Sequence, residues 1–315
     1  MKRAFVTGAS GFIGAAVVRR LLSQGWDVAV LQRGSSLGQR LHGLEPRLRA
    51  IISQGDTVAG FAAELREWQP AAVFHLGWAG VGNVHRNDAA LQLGNVQFAC
   101  ELASVCADCG VQHFIGAGSQ AEYGPKRSLI TESECPAPTT LYGAAKLSAC
   151  VLTQRICELA GVGHAWLRIF STYGPGDNPD WLLPGLIRQL LAGQRPSLTA
   201  CEQTWDYLHV DDAAAAFEAV AARSANGIFN LASGVELPLR QVIEMVRDLV
   251  NPQGELGFGE VAYRPDQVMR MQVCVQRLRQ LAGWRGVRSL DEGLGEMVSA
   301  ARLDLAASLR SDRRR

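Results

Sequence analysis

A tyrosine and a lysine stand four residues apart in the run Tyr142-Gly143-Ala144-Ala145-Lys146. In a helix this spacing places both side chains on one face. A tyrosine with the ordinary pKa of about 10 is a poor acid or base at neutral pH, but a neighbouring ammonium group favours the phenolate and lowers that pKa. The pair therefore predicts proton transfer by Tyr142. Ser119, at the end of a predicted strand, could donate a hydrogen bond to a carbonyl oxygen.

A glycine-rich turn occupies the run Thr7-Gly8-Ala9-Ser10-Gly11-Phe12-Ile13-Gly14. A strand (4–6) is predicted before it and a helix (12–23) after it. Such a turn lets the backbone approach a pyrophosphate, whose charge is held by the free N–H groups of the helix N-terminus. The turn therefore predicts a bound dinucleotide. The residues expected to contact it are Gly8, Ser10, Gly11, Phe12, Ile13 and Gly14.

The residues after the second predicted strand (28–31) bear on the choice of cofactor. An acidic residue there would accept the ribose 2′-hydroxyl of NAD and repel a 2′-phosphate, but the chain has Gln32-Arg33-Gly34-Ser35-Ser36. Arg33, helped by Ser35, could hold a 2′-phosphate, so NADP(H) is favoured and NAD(H) remains possible. The alternative for Arg33 is a solvated surface charge. Asp56 and Thr57, after the third strand, would either border the adenine or cap the next helix.

Short apolar runs alternate with helical patterns through the first half of the chain, which is typical of a parallel sheet covered by helices on both faces. We therefore predict an α/β fold with a doubly wound parallel sheet of the Rossmann type and a smaller, interleaved C-terminal substrate domain. Further strands are expected at 48–52, 72–75, 113–116 and 165–170, and helices at 61–68, 91–109 and 142–159.

A cluster of turn-forming residues from Tyr173 to Pro179 marks the entry to the second domain. The predicted dinucleotide-binding domain comprises 1–170 and about 207–232, since the chain is expected to return to the first domain at Tyr207. The predicted substrate domain comprises 171–206 and 233–310, with a helix at 239–250 and irregular structure after it. Residues 311–315 are expected to form a frayed tail.

The charges nearly cancel, with 31 basic and 30 acidic residues and a net charge of +1. No global field is available to hold nucleic acid or an anionic membrane, so neither is an expected partner. Eight scattered cysteines indicate reduced thiols and a cytoplasmic location. Cys106 and Cys109 form a C-x-x-C, but no second pair follows at zinc-site spacing, and no metal is expected. No apolar stretch reaches the roughly 20 residues of a membrane span.

Taken together, these motifs resemble the extended short-chain dehydrogenases/reductases, in the group of NAD(P)-dependent nucleotide-sugar epimerases, dehydratases and ketoreductases. The resemblance covers nearly the whole chain. It rests on the glycine turn, the run from Val73 to Gly77, Asn95, Ser119, the Tyr142/Lys146 pair, the run from Arg168 to Gly176, the run from Trp205 to Asp212, and Arg264-Pro265-Asp266.

The resemblance implies roles for individual residues. Ser119, Tyr142 and Lys146 would form the catalytic triad, and Tyr142 and Lys146 would also contact the cofactor. Three further residues are expected near the cofactor: Leu76, Gly77 and Asn95. His75 would either border the cofactor or be a satisfied, half-buried histidine. Arg264 would either reach the substrate diphosphate or be a surface charge. The helices 91–109 and 142–159 would form a homodimer interface, in agreement with the nearly all-round apolar character of the first helix.

The departures from the family pattern concern the substrate side. Dehydratases of the family place acid and base groups directly after the strand-end Ser or Thr, where this chain has Gln120 and Ala121, and Glu122 is displaced by one residue. Ser171 replaces an asparagine common in the family. Trp205 replaces an arginine, and would either stack on a base or sugar or be a core aromatic. The expected substrate-binding residues are Gln120, Ser171, Trp205 and Arg264.

A one-way ketoreductase must draw reducing equivalents from a pool, which in most cells means NADPH, whereas an epimerase oxidises and re-reduces its substrate with one bound cofactor. The favoured NADP(H) and the missing dehydratase groups therefore predict an NADPH-dependent reductase of a nucleotide-diphosphate-linked 4-keto-6-deoxyhexose. The alternative is a nucleotide-sugar 4-epimerase. A 4,6-dehydratase is less favoured, as is a non-catalytic NADP(H) sensor, which would have no use for the Tyr142/Lys146 pair.

Overall fold

Seven parallel strands form the central sheet of the protein. The computed structural model describes residues 2–34, 36–55, 57–264 and 267–312. The strands are β1 Arg3–Thr7, β2 Asp27–Gln32, β3 Leu48–Ile52, β4 Ala72–His75, β5 His113–Ser119, β6 Gly163–Ile169 and β9 Gly227–Leu231. They run in the order β3-β2-β1-β4-β5-β6-β9, and every neighbouring pair is parallel. The predicted doubly wound α/β fold is confirmed.

Helices cover both faces of this sheet, so strands such as β4 and β5 are buried along their whole length. One face packs against α1 (Phe12–Ser23), α6 (Val210–Arg223) and α8 (Gln276–Ala282). The other packs against α2 (Ala62–Trp68), α3 (Ala89–Asp108) and α4 (Leu141–Leu159). Asp88 caps α3 by accepting from the Leu91 N–H, and Thr140 caps α4 by accepting from Gly143.

A second, three-stranded sheet holds β10 (Glu236–Pro238), β8 (Thr204–His209) and β7 (Ser171–Tyr173) in that order. The sequence predicts a return to the large sheet at Tyr207, but the strand containing it pairs with β7 and β10 instead, and the chain returns only with α6 and β9. The Asp206 carboxylate fastens β8 there, since it accepts from Ser233 N and Gly234 N at 2.7 Å each. We propose a division into two lobes in which the chain returns to the lobe of the large sheet at Val210.

The C-terminal part is more regular than predicted. Helices α5 (Leu182–Leu191), α7 (Leu239–Val250) and α9 (Leu290–Asp312) form a third apolar cluster around the small sheet. The prediction of irregular structure after α7 is therefore wrong for α8 and α9. The predicted frayed tail is wrong for Ser311 and Asp312, which end α9, and 313–315 lie outside the described residues. The helix forms because Leu294, Met297 and Val298 share one buried face against α5 and α7.

Within the described part of the chain, no helix is long and apolar enough to cross a bilayer. All eight cysteines lie in that part and are free thiols.

Four buried histidines are expected to make the stability of the fold depend on pH. Burial lowers the pKa of His75 to about 3 and the pKa of His113 and His164 to about 4, and it also lowers the pKa of His209. As pH falls below the ordinary value of about 6.5, the unfolded chain takes up these protons and the folded chain does not, so the free energy of unfolding falls. Burial raises the pKa of Asp177 to about 6, so the folded chain takes up one proton there that the unfolded chain does not. This proton offsets part of the fall in the free energy of unfolding.

We expect the urea midpoint to decrease as pH is lowered from about 6.5 to 5, a window in which carboxylates of ordinary pKa stay ionised. In His164→Gln the unfolded chain takes up one proton fewer, so the urea midpoint should decrease less steeply as pH falls. A midpoint that stays constant across the window would show that these histidines are not held neutral by the fold.

Candidate active site

The three predicted catalytic residues meet at the carboxyl end of β5. Ser119 is the last residue of that strand, and Tyr142 and Lys146 lie on the first turns of α4. Helix α4 approaches closely because residue 143 is glycine: a Cβ there would lie 2.4 Å from the Ala121 carbonyl oxygen, inside van der Waals contact. All three side chains are buried, and Lys146 Nζ donates to the Ala117 carbonyl of β5.

Glu122 anchors the backbone at Ser119 rather than facing the site. Its Oε1 accepts from Ser119 N at 2.8 Å and from Trp166 Nε1 at 3.0 Å. Its Oε2 accepts from Arg168 Nε at 2.7 Å in an ion pair whose side chains are 2% and 0% exposed. The displaced carboxylate is therefore fully engaged in the core beneath Ser119.

The electrostatic surroundings of Tyr142 differ from the expectation. Burial raises the pKa of Tyr142, and a hydrogen bond with Ser119 and the positive charge of Arg86 oppose that rise. The Arg86 guanidinium lies 5.3 Å from the centroid of the Tyr142 ring. The sequence assigns this electrostatic role to Lys146, but the structure directs the ammonium of Lys146 elsewhere.

Lys146 is covered by Trp78, a residue that sequence reasoning missed. The ammonium lies 3.8 Å from the centroid of the indole ring, and burial lowers the pKa of Lys146 to about 7. The indole N–H donates to Gln92 Oε1 at 2.9 Å, and the ring meets Tyr142 edge-on at 6.4 Å. No sequence motif marks Trp78, although its position two residues after Leu76, at a strand end, was a signal that it borders the site.

The glycine turn fits a dinucleotide pyrophosphate. Gly8 has φ +71°, and a Cβ on it would lie 2.5 Å from Gly77 N, so only glycine lets the turn approach the loop after β4. A Cβ on Gly14 would lie inside the contact radius of the Gly8 carbonyl oxygen, so this glycine lets α1 approach the turn. No side chain caps the N-terminus of α1, which leaves its first N–H groups for an anion.

The remaining predicted contacts of the turn are partly open to solvent. Ser10 and Gly11 are exposed, and Phe12 and Ile13 are half-buried. Arg40 spans from this turn to the second lobe, because it donates to the carbonyls of Ser10 at 3.3 Å and Gly176 at 2.9 Å. Sequence reasoning missed Arg40, which lies in a loop with no recognisable motif.

The carboxyl end of β2 is cationic in the described part of the chain. Arg33 is exposed, and its guanidinium lies 4.8 Å from the Phe98 ring centroid. Gln32 donates to the Gly34 carbonyl and not toward a ligand. Ser35 and Asp56 lie outside the described residues. Thr57 is exposed at the start of a short 3-10 turn and its side chain makes no cap bond, so the capping interpretation fails for it.

Several predicted cofactor contacts support the loop after β4. Asn95 accepts from Ala79 N at 3.0 Å and donates to the Ala79 carbonyl at 2.9 Å, which fixes this loop. The Thr7 hydroxyl accepts from Gly77 N at 3.1 Å and lies 2.9 Å from Nδ1 of the buried His75. Leu76 and Gly77 are half-buried beside the glycine turn. His75 is buried and its Nε2 has no hydrogen-bond partner among the described residues, so the prediction of a satisfied, half-buried histidine describes only its Nδ1 contact.

The predicted substrate residues are less closely grouped. Gln120 follows Ser119 directly, and Ser171 begins β7; both are half-buried. The Trp205 indole N–H donates to the Val268 carbonyl at 2.8 Å, and the ring packs against a core cluster, which is the second of its two predicted alternatives. Arg264 is exposed, and no described side chain is bonded to it; Pro265 and Asp266 lie outside the described residues.

One group of potential metal ligands occurs among the described residues, far along the chain from the predicted triad. Ligand-type atoms of His209, Asp211 and Glu296 lie within 4.8 Å of one another. The Arg288 guanidinium bonds to both carboxylates, so positive charge is already supplied there by the protein.

Comparison with known proteins agrees with this geometry. The sequence profile of the NAD dependent epimerase/dehydratase family matches residues 4–232. The chain is 29% identical to a UDP-glucose 4-epimerase of Mycolicibacterium smegmatis, covering 94% of this chain and 97% of that protein. It is 28% identical to GDP-L-fucose synthase 1 of Arabidopsis thaliana, with 93% and 90% covered.

Solved structures extend the likeness to three dimensions. A UDP-glucose 4-epimerase of Thermus thermophilus in complex with NAD is 26% identical, with a TM-score of 0.84 over 95% of this chain and 99% of that one. A UDP-glucose 4-epimerase of Thermotoga maritima with UDP-glucose is 25% identical, with a TM-score of 0.83 over 96% and 99%. The chain therefore belongs to the NAD-dependent epimerase/dehydratase family and is an NAD(P)-dependent enzyme of the extended short-chain dehydrogenase/reductase type.

Proposed function

We propose that the protein is an NADPH-dependent reductase of a 4-keto-6-deoxyhexose linked to a nucleoside diphosphate. The observation that carries the choice is the end of β2, where Arg33 is exposed and no carboxylate occurs among the described residues. A cation there favours the extra phosphate of NADP(H), whereas an acidic residue would favour NAD. A preference for NADP(H) suits a reductase, because a reductase takes its hydride from the cellular pool of NADPH.

The residues of the chain have separate tasks in this reaction. When bound, the nicotinamide supplies the hydride that is added to C4 of the sugar. Ser119 donates a hydrogen bond to the C4 carbonyl oxygen and polarises it, and Tyr142 transfers its phenolic proton to that oxygen as the alcohol forms. The phenolate left on Tyr142 is reprotonated from solvent. Lys146 binds the ribose hydroxyls with the ammonium N–H groups that it does not donate to the Ala117 carbonyl.

The position of Glu122 supports reduction over dehydration. A 4,6-dehydratase needs groups that remove the C5 proton and expel the C6 hydroxyl, and the only carboxylate next to Ser119 in sequence is engaged with Arg168, Trp166 and the Ser119 backbone. Gln120 and Ala121, which stand where such groups would be needed, cannot act as acid and base at neutral pH.

A nucleotide-sugar 4-epimerase is the second candidate. Its support is that UDP-glucose 4-epimerases match over nearly the whole chain, both as a curated relative and as solved structures. An epimerase would use Ser119, Tyr142 and Lys146 in the same geometry, with the cofactor retained.

Cofactor consumption distinguishes the two candidates. Purified protein would be mixed with 4-keto nucleotide sugars carrying UDP, dTDP, GDP or CDP, and absorbance of NADPH followed at 340 nm. The proposal predicts that one NADPH is oxidised for each 4-keto group reduced with at least one of these bases. Interconversion of 4-hydroxy nucleotide sugars without net redox change, by protein that co-purifies with NAD, would overturn it in favour of the epimerase.

Replacing Arg33 tests the cofactor preference itself. In Arg33→Glu the cation that would bind the 2′-phosphate becomes a carboxylate that repels it, so the Kd for NADPH should rise by about 10- to 100-fold. The Kd for NADH should rise far less. Isothermal titration of both cofactors measures this, with Arg188→Glu, an exposed arginine of α5, as the matched control. Equal effects on the two cofactors would indicate that Arg33 is only a surface charge.

We also propose a homodimer in which α3 and α4 form the interface. These helices pack against each other, and their outer faces expose Leu93, Val151 and Leu152 at 68%, 56% and 47%. Burial of such side chains against a second copy would remove apolar surface from water. Val151→Glu should convert a dimer to a monomer in sedimentation experiments, and a monomeric wild type would contradict this assembly.

The reduced state of the thiols supports a cytoplasmic location as part of the proposal.

A further inference from the structure

The segment before α3 lies on the N-terminus of α4. The Tyr142 N–H donates to the Arg86 carbonyl at 2.8 Å, and the Leu141 N–H donates to Asn87 Oδ1 at 3.0 Å. Two N–H groups at the start of α4, which have no partner within the helix, are thus satisfied by two consecutive residues of this segment. The segment and the catalytic tyrosine are therefore held in a fixed relation.

The Arg86 side chain is oriented within that contact. Its Nε donates to the Val81 carbonyl at 3.2 Å, and its guanidinium lies 5.3 Å from the Tyr142 ring centroid. The side chain is only half-exposed, so its charge is less screened than that of a free surface arginine. A cation at this distance from a phenol favours the phenolate over the neutral form.

The other charged and polar groups around Tyr142 make Arg86 distinctive. From the end of β5, Ser119 provides a hydrogen bond and the buried Glu122 provides a negative charge, which disfavours the phenolate. From α4, Lys146 lies against Trp78 and the Ala117 carbonyl. With burial lowering the pKa of Lys146 to about 7, its ammonium is only partly charged near neutral pH, whereas arginine stays charged.

We propose that Arg86 is a positioning residue of the proton transfer, whose guanidinium stabilises the phenolate that forms on Tyr142 when its proton moves to the substrate oxygen. Arg86 acts through Tyr142 and does not touch the substrate. This inference rests on the proposed use of Tyr142 as the proton donor. It deepens that mechanism, because it assigns to the segment before α3 a charge that the Tyr-x-x-x-Lys motif does not contain.

The direct test follows the ionisation of Tyr142 without any substrate. Protein labelled with fluorinated tyrosine, whose phenol is more acidic, would be titrated by ¹⁹F NMR, and Tyr142→Phe would identify the resonance among the five tyrosines. In Arg86→Gln the pKa of residue 142 should rise by about one unit. At a given pH below the pKa, the fraction of phenolate should therefore be about tenfold smaller. Arg86→Lys, which keeps the charge, should restore most of the wild-type value.

A matched variant separates charge from support of the helix. Asn87→Ala removes the bond to Leu141 N but leaves the charge of Arg86 in place, so it should leave the titration of Tyr142 nearly unchanged. An unchanged titration in Arg86→Gln, or an equal rise in Asn87→Ala, would overturn the proposal.

The pH dependence of turnover gives the second readout. Reduction needs protonated Tyr142, so the rate falls as pH rises through its pKa, and in Arg86→Gln this fall should begin at higher pH. If the titration shifts as expected but no 4-keto sugar is reduced, the assigned reaction fails while the influence of Arg86 on Tyr142 stands. If reduction is observed and the titration does not shift, the inference about Arg86 fails alone.

Discussion

Replacing Tyr142 with phenylalanine is expected to lower kcat for reduction of a 4-keto nucleotide sugar by about 100- to 10,000-fold, the range that a positioned acid or base contributes. The substitution removes one oxygen from a side chain that is 6% exposed and leaves the ring in place. Cofactor binding should be largely retained, because the glycine turn, the end of β2 and Lys146 are untouched and only the expected contact of the Tyr142 hydroxyl is lost. Steady-state kinetics together with titration of NADPH separate the two effects.

Tyr207→Phe provides the matched control for this loss. Its hydroxyl is buried in β8 without a hydrogen-bond partner among the described residues, so the same chemical change there should leave kcat within a few-fold of wild type. Wild-type behaviour of Tyr142→Phe in every assay of turnover would remove the enzymatic role of the pair and favour an NADP(H)-binding sensor.

The second large effect is expected from Glu122→Ala, which should lower the free energy of unfolding by about 3 to 5 kcal/mol, as when one partner of a buried ion pair is removed. The substitution leaves the Arg168 side chain, 2% exposed, without its carboxylate, and it removes the acceptor of Ser119 N and Trp166 Nε1. The melting temperature should fall by roughly 10 °C. Chemical denaturation and calorimetry measure both quantities.

Glu158→Ala is the comparison for this prediction, because Glu158 pairs with Arg155 on the exposed side of α4. Solvent screens an exposed pair of this kind, so this variant should melt close to wild type. A Glu122→Ala protein that is equally stable would mean that the network beneath Ser119 does not hold the site in place.

Local patterns were sufficient to predict most elements of the large sheet. The predicted bounds of α1, β3 and α7 agree with the structure, because each has regularly spaced apolar residues and is bounded by turn formers or glycines. Local patterns do not show to which sheet a strand belongs. The run Tyr207-Leu208-His209 reads as a strand in either lobe, and only long-range pairing and the Asp206 contacts place it in the small sheet.

Helix α9 was missed for a packing reason. Gly293 and Gly295 weaken its helical pattern, since glycine disfavours helix interiors. In the structure, a Cβ on Gly293 would collide with the Tyr173 hydroxyl and lie 2.9 Å from the His209 ring. The glycine that hides the helix in the sequence is therefore required by its packing.

In the candidate site, the motif residues could be predicted and their partners could not. The spacing of Ser119 and Glu122 is that of a capping box, so the sequence did contain a signal for the buried role of this glutamate. Trp78, Arg86 and Arg40 act through contacts between distant segments, and such contacts leave no pattern in a single sequence.

Transfer of deuterium tests the central claim most directly. The protein would be incubated with a 4-keto nucleotide sugar and NADPH carrying deuterium at C4 of the nicotinamide, and the product analysed by mass spectrometry and NMR. Our account predicts one deuterium at C4 of the sugar for each NADPH oxidised, transferred from only one of the two faces of the nicotinamide. No deuterium should be transferred with Tyr142→Phe. No loss of NADPH and no deuterium in the sugar, while the same protein converts a 4-hydroxy nucleotide sugar to its C4 epimer, would contradict it.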